Sequence, residues 1–472
     1  MTRAVIIGLV VGLVGGVLVP SASAQESKFM SDLRREGHAI AENCDSLDIK
    51  AIGACVFTLV TAQPIHIGFG SLAPGNGFAF GLALSERHTP NETWRITWSG
   101  DAVATFSGAS RIGGYLKFIH TPDLSIVVTA PGERPPSARG LKLDTWMVDA
   151  FAQRTSLHTL DYYGIGPDTT EDGRTSYGER QTVVGTSIVL PMSGQSWIGA
   201  LRPALLGGIS VRSVDIRPGR LEEGPSIEQV YGAAPGLARQ DAFLELREGV
   251  RLRPSVGNGR LHLNYLAQAQ QFRTSEASKS SFNRWTLDLR HQIPIYRGAS
   301  SFGPPQDFNG PNECASTLDS LDCPPLSRSR DRSGTIGIRV LMSSSSAGGG
   351  NQVPFYFQPT LGGSDINGER LLAGFDDYRF RGPAVLALQE SLEHSVWGPI
   401  GIFVAAEQGR VGDSARALRS GRLLTSATVG VTLRAGGFPM VTLSISRGAE
   451  GHHLIGMMNT SLLGGSPRPS LD

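Results

Sequence analysis

The stretch that decides the fold is "LELREGVRLR", residues 244 to 253. Apolar and charged residues alternate along it, with Leu244, Leu246, Val250 and Leu252 in one set and Glu245, Arg247, Arg251 and Arg253 in the other. Successive side chains of a β-strand point to opposite faces of the sheet. The stretch is therefore predicted to be a strand with one apolar and one charged face.

The same alternation recurs along the chain, as in "RWTLDLRHQIPIY" (284–296), "LHLNYLAQAQ" (261–270), "TIGIRVLM" (335–342), "ATVGVTLR" (427–434) and "MVTLSIS" (440–446). Segments of this kind predict strands at 65–72, 77–87, 93–108, 111–121, 140–165, 177–192, 196–214, 241–255, 261–277, 282–296, 333–348, 383–397, 400–411, 426–437, 440–450 and 453–463. Residues 215–240 and 297–333 are two long inserts between these strands, and the sequence gives the second no role.

The length of these segments favours a membrane barrel over a soluble β-sandwich. Strands of soluble sheets usually have about five or six residues, whereas about ten are needed to cross a bilayer at a tilt. Several segments also put multiple charges on one face, as suits a water-filled interior. The predicted fold is all-β, a transmembrane antiparallel β-barrel of about 16 strands, closed because an open sheet edge in lipid leaves backbone groups unpaired.

Composition agrees with this prediction. The 472 residues include 59 glycines, only 18 % are charged, and the formal net charge is +1. That balance does not favour nucleic-acid binding or an acidic disordered tail. Beyond the N-terminus, no run of eighteen apolar residues predicts a helical membrane span.

The N-terminus, "MTRAVIIGLVVGLVGGVLVPSASAQES", has the order of an export signal: a basic residue, an apolar stretch and small residues before a cleavage site. We expect residues 1–24 to be a cleaved signal peptide, with an uncleaved membrane anchor as the alternative. Residues 25–63 are predicted to be a short periplasmic segment containing a helix, residues 64–463 the barrel and residues 464–472 a flexible tail.

The four cysteines form two close pairs in the sequence, Cys44 with Cys55 and Cys314 with Cys323. Export makes both pairs possible disulfides, with free thiols as the alternative. No CxxC motif or Cys/His cluster predicts structural zinc.

A second stretch, "LGGSDINGERLLAGFDDYRFRG" at 361–382, is rich in glycine and charge yet carries five large apolar residues within ten positions: Leu371, Leu372, Phe375, Tyr378 and Phe380. A solvated loop gains little from such residues. The pattern predicts a loop that packs into the protein.

On these residues the sequence resembles the bacterial surface antigen family, the outer-membrane barrel superfamily of BamA and TamA. The resemblance is carried by the loop residues Gly362, Gly363, Gly374, Phe375, Arg379, Phe380, Arg381 and Gly382. It is also carried by Tyr163, Gly164, Gly166 and Tyr177, and by Glu407 and Gly409 of the thirteenth predicted strand. The resemblance implies a long sixth outer loop that folds into the lumen.

The family's tip arginine, which pairs with an acidic residue of the inner wall, is replaced here by Ala373. The ion pair is therefore either absent or supplied by Arg370, Arg379 or Arg381 against the inward-facing Glu407 or Glu393. Simple solvation of these arginines in a wet lumen is the alternative. The segment before residue 64 also has no room for the periplasmic repeat domains that assembly and secretion members carry.

No enzymatic activity, cofactor or metal is predicted. A G-x-S-x-G elbow is absent, and "GDS" at 412–414 falls in a polar turn. The adjacent His452 and His453 would point to opposite faces of a strand. A lipolytic enzyme remains a third hypothesis, which requires esterase activity that Ser414→Ala abolishes.

The resemblance implies an outer-membrane protein that acts in protein or lipid assembly or translocation through a lateral seam between its first and last strands. The expected partners are outer-membrane lipid and lipopolysaccharide, and a separate periplasmic accessory protein or a client chain. The alternative is a passive or substrate-selective outer-membrane pore.

Overall fold

The computed structural model describes residues 64–458 except 123–140, 195–196, 220–223, 257–260, 276, 278, 303–327, 365–368, 398–399 and 436–437, together with residues 30, 34, 35, 37 and 38. The chain divides into two compact units, Met1–Pro64 and Ile65–Asp472. In the first unit, the described residues at 30, 34, 35, 37 and 38 are helical. The predicted signal peptide, the four cysteines and the C-terminal tail lie outside the described residues.

The described residues of the second unit form sixteen strands of seven residues or more. They are β1 (Ile65–Ser71), β2 (Phe78–His88), β3 (Trp94–Thr105), β4 (Ser110–His120), β5 (Trp146–Tyr162), β6 (Thr175–Ser193), β7 (Pro203–Pro218), β8 (Phe243–Leu252), β9 (Leu261–Arg273), β10 (Phe282–Phe302), β11 (Arg328–Ser346), β12 (Ala384–Trp397), β13 (Ile400–Gly412), β14 (Leu424–Ala435), β15 (Phe438–Gly448) and β16 (Gly451–Met458). Short helices lie at Trp197–Ala200 and Ile227–Val230, and 3-10 turns lie at Glu171–Gly173, Phe355–Phe357 and Ala417–Arg419. The predicted antiparallel all-β fold is confirmed.

Each long strand pairs antiparallel with the next one along the chain, from β1–β2 to β15–β16. The sheet curls until Cα atoms of β1 and β16 come within 8 Å of each other. Among the described residues, no hydrogen-bonded ladder joins these two strands. We call this junction the seam. The end of the barrel where β1 begins and β16 ends is the terminal end, and the opposite end is the loop end.

The two faces of the strands meet different surroundings, as the alternation predicts. On β8, Glu245 is 1 % exposed, whereas the neighbouring Leu246 is 38 % exposed. On β10, Arg284 and Asp288 are buried and Trp285 is 65 % exposed. Apolar side chains therefore cover the outside of the barrel and polar ones line its interior.

Charged side chains of the inner wall are paired across neighbouring strands. Asp101 accepts a hydrogen bond of 2.7 Å from Nε of Arg111. Glu245 accepts hydrogen bonds from Arg212 (3.1 Å) and Gln270 (2.9 Å). Such pairing is expected because a buried charge without a partner is costly.

Two predicted boundaries are wrong. The strand predicted at 196–214 begins only at Pro203, because Trp197–Ala200 form a helical turn. The insert 297–333 is not a loop throughout. Its two ends extend β10 and β11, and the pairing of these strands continues as far as Phe302 opposite Arg328. The described ends of the insert lie at the terminal end, whereas β7 ends at Pro218 at the loop end. No helix in the described part of the chain is both long and apolar enough to span a membrane.

Candidate functional site

The candidate site is the sixth loop, residues 347–383, which joins β11 to β12 at the loop end. The loop folds on itself through two short antiparallel pairs, Thr360–Leu361 with Phe380–Arg381 and Gly363–Ser364 with Arg370–Leu371. Gly362 and Gly363 take positive φ angles of 84° and 92°. Glycine adopts this conformation without the penalty that a Cβ brings. The loop is thus a structured element.

The apolar residues of the loop pack on the inside of the barrel. Leu361, Leu371, Leu372, Phe375 and Phe380 form one buried cluster with wall residues Leu341, Val385, Ala387, Val411 and Leu424. Gly409 of β13 makes room for them, since a Cβ there would lie 2.7 Å from Cδ1 of Leu361 and 2.9 Å from Cδ1 of Leu372. The interior position explains why a glycine-rich, charged loop carries so many large apolar side chains.

Glu407 holds the tip of the loop without an arginine. Its carboxylate accepts hydrogen bonds from the backbone N–H of Ala373 (2.7 Å), the Ser426 hydroxyl (2.6 Å) and Nε2 of Gln389 (2.7 Å). The sequence left open whether Glu407 pairs with an arginine of the loop. Its hydrogen bonds in the described part of the chain are to a backbone N–H, a hydroxyl and an amide, so the ion pair at Glu407 is absent there. The backbone N–H takes the place of the missing tip side chain. Glu393 also faces the interior, opposite Thr335 in the adjacent strand.

Arg379 contacts several parts of the protein at once. Its Nε and Nη2 atoms lie 2.9 and 2.8 Å from the two carboxylate oxygens of Glu450, between β15 and β16. Its Nη1 and Nη2 also donate to the hydroxyl and carbonyl oxygens of Thr169, at 2.8 and 2.6 Å. The guanidinium lies 4.9 Å from the ring centroid of Tyr163 and 4.6 Å from that of Phe380. One side chain thus joins the sixth loop to the loop between β5 and β6 and to the last hairpin.

Arg381 binds the aromatic and glycine motif that the sequence singles out near residue 163. Its Nη1 donates to the carbonyl oxygen of Phe355 at 2.6 Å, and its Nη2 lies 3.5 Å from the hydroxyl of Tyr177. Its backbone carbonyl accepts the N–H of Gly166 at 2.7 Å. Gly164 and Gly166 have φ angles of 99° and 108°. The family-like motifs, far apart in sequence, therefore meet at the sixth loop.

Gly374 is not among the residues with a positive φ angle, although Leu372 (55°) and Tyr378 (60°) near it are. Gly374 is required by packing, because a Cβ at this position would overlap the backbone of Arg447 and Gly448. Gly382 is similarly confined, with Cγ1 of Val411 2.7 Å from the position of a Cβ.

Glu369 attaches the loop to strands β10 and β11 of the wall. Its carboxylate oxygens lie 2.5 Å from Nη1 of Arg290 and 2.6 Å from Nη1 of Arg339. Asp288 bridges the same two arginines at 2.7 and 2.8 Å. Arg370 pairs with Asp377 within the loop itself. Sequence reasoning missed Glu369 and Glu450, and no spacing or motif marks either as a partner of the loop.

Burial raises the pKa of the Glu450 carboxyl, and the pairing with Arg379 opposes that effect. Burial also raises the pKa of the Tyr163 hydroxyl, which donates a hydrogen bond of 3.0 Å to Asp376. Asp376 lies 3.5 Å from Nδ1 of His453 as well. These groups connect the loop tip to β16 by polar contacts.

Beneath the loop lies a cavity of about 150 Å³, lined among others by Leu157, Tyr177, Arg212, Arg284, Gln358 and Arg381. It is lined by polar and apolar groups together. Within the described residues, no three His, Cys, Asp or Glu side chains are grouped so as to hold a metal ion. Ser414 lies in the loop between β13 and β14, where its hydroxyl is 3.4 Å from the N–H of Ala417.

We expect Gly374→Val to lower the free energy of unfolding by about 1 to 3 kcal/mol, the usual cost of inserting methyl groups into a closely packed site. The matched control is Gly456→Val, because a Cβ there meets no atom within 4 Å. Urea unfolding in lipid vesicles measures both. Equal stability of the two variants would contradict the close contact between Gly374 and Gly448.

No protein-family model matches the chain, and no curated protein matches it. Among solved structures, BamA from Haemophilus ducreyi lacking POTRA domains 1-3 is similar, with 11 % identity, a TM-score of 0.45, and coverage of 84 % of this chain and 70 % of that one. CdiB from Acinetobacter baumannii is similar at 12 % identity and a TM-score of 0.44, covering 82 % of this chain and 57 % of the other. This chain thus spans less than two thirds of CdiB.

Proposed function

We propose that this chain is an integral barrel of the bacterial outer membrane, exported through a cleaved signal peptide. The proposal is supported by the outside of the barrel. Large apolar side chains are exposed there on adjacent strands: Val429, Val431 and Leu433 on β14, Leu443 and Ile445 on β15, and Leu454 on β16. A soluble protein rarely exposes a continuous apolar surface of this kind, whereas lipid covers it without cost.

Within that membrane, the chain acts in protein or lipid assembly or translocation through its seam. The observation that carries this proposal is the junction of β1 and β16. The described parts of these strands have 7 and 8 residues, and no ladder pairs them there. Unpaired backbone groups are costly in lipid, so an edge of this kind favours pairing with an incoming strand or opening to a lipid. A separate periplasmic partner would deliver the client.

The sixth loop supports the proposal because it contacts the hairpin next to the seam. Gly374 lies against Gly448 at the end of β15, and Arg379 binds Glu450 in the turn before β16. A change in the position of the loop therefore acts directly on one side of the seam.

Covalent closure of the seam tests this function. We expect a disulfide between a cysteine scanned along 65–71 and one scanned along 451–458 to abolish activity until it is reduced. The readout is the permeability of the outer membrane in cells that depend on this chain. The control is a cysteine pair at Ile67 and Leu82, which are already hydrogen-bonded neighbours on β1 and β2. Full activity with a locked seam would overturn the proposal.

A passive or substrate-selective pore is the second candidate, and the polar inner wall favours it. The same locked variant separates the two functions. A pore gives large, steady single-channel currents that the lock leaves unchanged, whereas seam-dependent assembly is lost. We propose no enzymatic role, and Ser414→Ala is accordingly a neutral substitution.

A further inference from the structure

Three arginines lie together on the outer surface of the barrel, near the loop end. Arg154, Arg180 and Arg217 belong to the neighbouring strands β5, β6 and β7. Their positions follow from the register, in which Arg154 is opposite Thr182, Ser156 is opposite Arg180, and Gly178 is opposite Arg217. Adjacent strands are separated by about 4.8 Å, so the three Cα atoms are spread over roughly 10 Å across the sheet. We call these residues the arginine patch.

The arginine patch carries more positive charge than its described neighbours compensate. Asp215 is opposite Arg180, and the closest approach of their side chains is 3.7 Å. The charges of both Arg180 and Arg154 act on Arg217. Among the described residues, three guanidinium groups with one carboxylate leave an excess of two positive charges.

The Arg217 side chain is held in place and has a donor to spare. Nη2 of Arg217 donates to the Ser156 hydroxyl (3.0 Å) and to the carbonyl oxygen of Leu157 (2.9 Å). Its Nε is buried and has no hydrogen-bond partner in the described part of the chain. The Arg180 side chain is 40 % exposed, and Arg154 is exposed. An anion can therefore reach the patch from outside.

The patch lies where the outer surface changes from apolar to polar. The outward-facing residues immediately nearer the terminal end are Ala152, Val184 and Val211. Level with Arg154, the outward-facing neighbours are Thr182 and Ser213. One pair of residues nearer the loop end, level with Arg180, they are Ser156 and Asp215. A barrel placed in a bilayer by its apolar band would hold the arginines at the level of the lipid headgroups.

We propose that the arginine patch binds the phosphate groups of a phosphorylated glycolipid headgroup in the outer leaflet. This inference rests on the proposed outer-membrane location. Guanidinium groups bind phosphate through paired, charge-assisted hydrogen bonds. The hydroxyls of Ser156, Thr182 and Ser213 lie beside them and suit the sugar of such a lipid.

The test measures lipid binding by the full-length protein in detergent with native mass spectrometry. The probes are diphosphoryl lipid A, the same lipid without phosphate, and inorganic phosphate. We expect the triple variant Arg154→Gln, Arg180→Gln and Arg217→Gln to bind diphosphoryl lipid A roughly tenfold more weakly, since it loses its charge-assisted contacts. The dephosphorylated lipid should bind wild type and variant alike.

The matched control is Arg87→Gln, Arg95→Gln and Arg253→Gln, which removes the same charge from exposed arginines at the terminal end. It should bind diphosphoryl lipid A as the wild type does. Equal loss in both triple variants, or no loss in the patch variant, would overturn the proposal. If inorganic phosphate binds the patch and lipid A does not displace it, the proposal is overturned and the patch is a site for free phosphate.

A separate measurement on the wild-type protein distinguishes failure of the proposed outer-membrane location from failure of the arginine patch alone. If the chain does not insert into phospholipid vesicles and float with them, the proposed location fails together with this inference. If it inserts and has no preference for phosphorylated lipid A, only the arginine patch is wrongly assigned.

Discussion

Phe375→Asp should destabilise the folded barrel by at least about 4 kcal/mol, because Phe→Ala alone in a core costs about 3 to 5 kcal/mol and the carboxylate adds a desolvation cost. Phe375 is 1 % exposed and packs in the cluster that fixes the sixth loop to the wall. Its ring also contacts that of Phe380, with centroids 5.1 Å apart. We expect little heat-modifiable barrel on gels and a lower urea midpoint in vesicles.

The control for this prediction is Phe106→Asp, which introduces the same charge at a phenylalanine that is 92 % exposed. That variant should keep most of the folded barrel. If Phe375→Asp folds as well as the control, the loop does not lie inside the barrel, and the assignment of the candidate site fails.

Arg379→Met is expected to lower the free energy of unfolding by about 3 kcal/mol, the usual lower range for breaking a buried ion pair from one side. Arg379 is almost fully buried, and its removal leaves the Glu450 carboxylate without its cation. It also leaves Thr169 without two donors. Methionine keeps much of the packing volume, so the loss reports mainly on the polar contacts. Urea unfolding in vesicles measures it.

A double-mutant cycle with Glu450→Gln separates this ion pair from the other contacts of Arg379. Residues in direct contact usually show interaction energies of about 0.5 to 3 kcal/mol. We expect the double variant to be less destabilised than the sum of the two single variants. Additive effects would mean that Arg379 acts through Thr169 and the aromatic rings alone.

The contacts of the sixth loop reach four separate parts of the barrel. Glu407 and Gly409 hold it at β13, Glu369 at β10 and β11, Gly166 at the loop after β5, and Glu450 at the last hairpin. In the described part of the chain, no ladder joins the first and last strands, so the pairing that closes other barrels is missing there. A loop that ties the two halves together from inside compensates for that loss. Its release would loosen the hairpin beside the seam.

Sequence patterns predicted most of the strands and the inward position of the sixth loop. All sixteen predicted segments correspond to strands, because alternation with a period of two is a local property that reports directly which side chains face inward. The sequence also identified the loop residues that pack inside, since apolar residues in a polar loop need a core. It did not identify Gly448 as the partner of Gly374, because a glycine at the end of a strand has many ordinary reasons to be there.

The sequence by itself determined which residues face outward and which face the lumen, and it marked the sixth loop as an inward element. Only the tertiary structure decided what the loop binds. Arg379 finds Glu450, 71 residues away, and Thr169, 210 residues away. Ala373 contributes a backbone N–H that no side-chain pattern records. These contacts form because the whole sheet curls and brings loops that are distant in sequence to the same end of the barrel. The number of residues between two positions does not tell how far apart they lie in space.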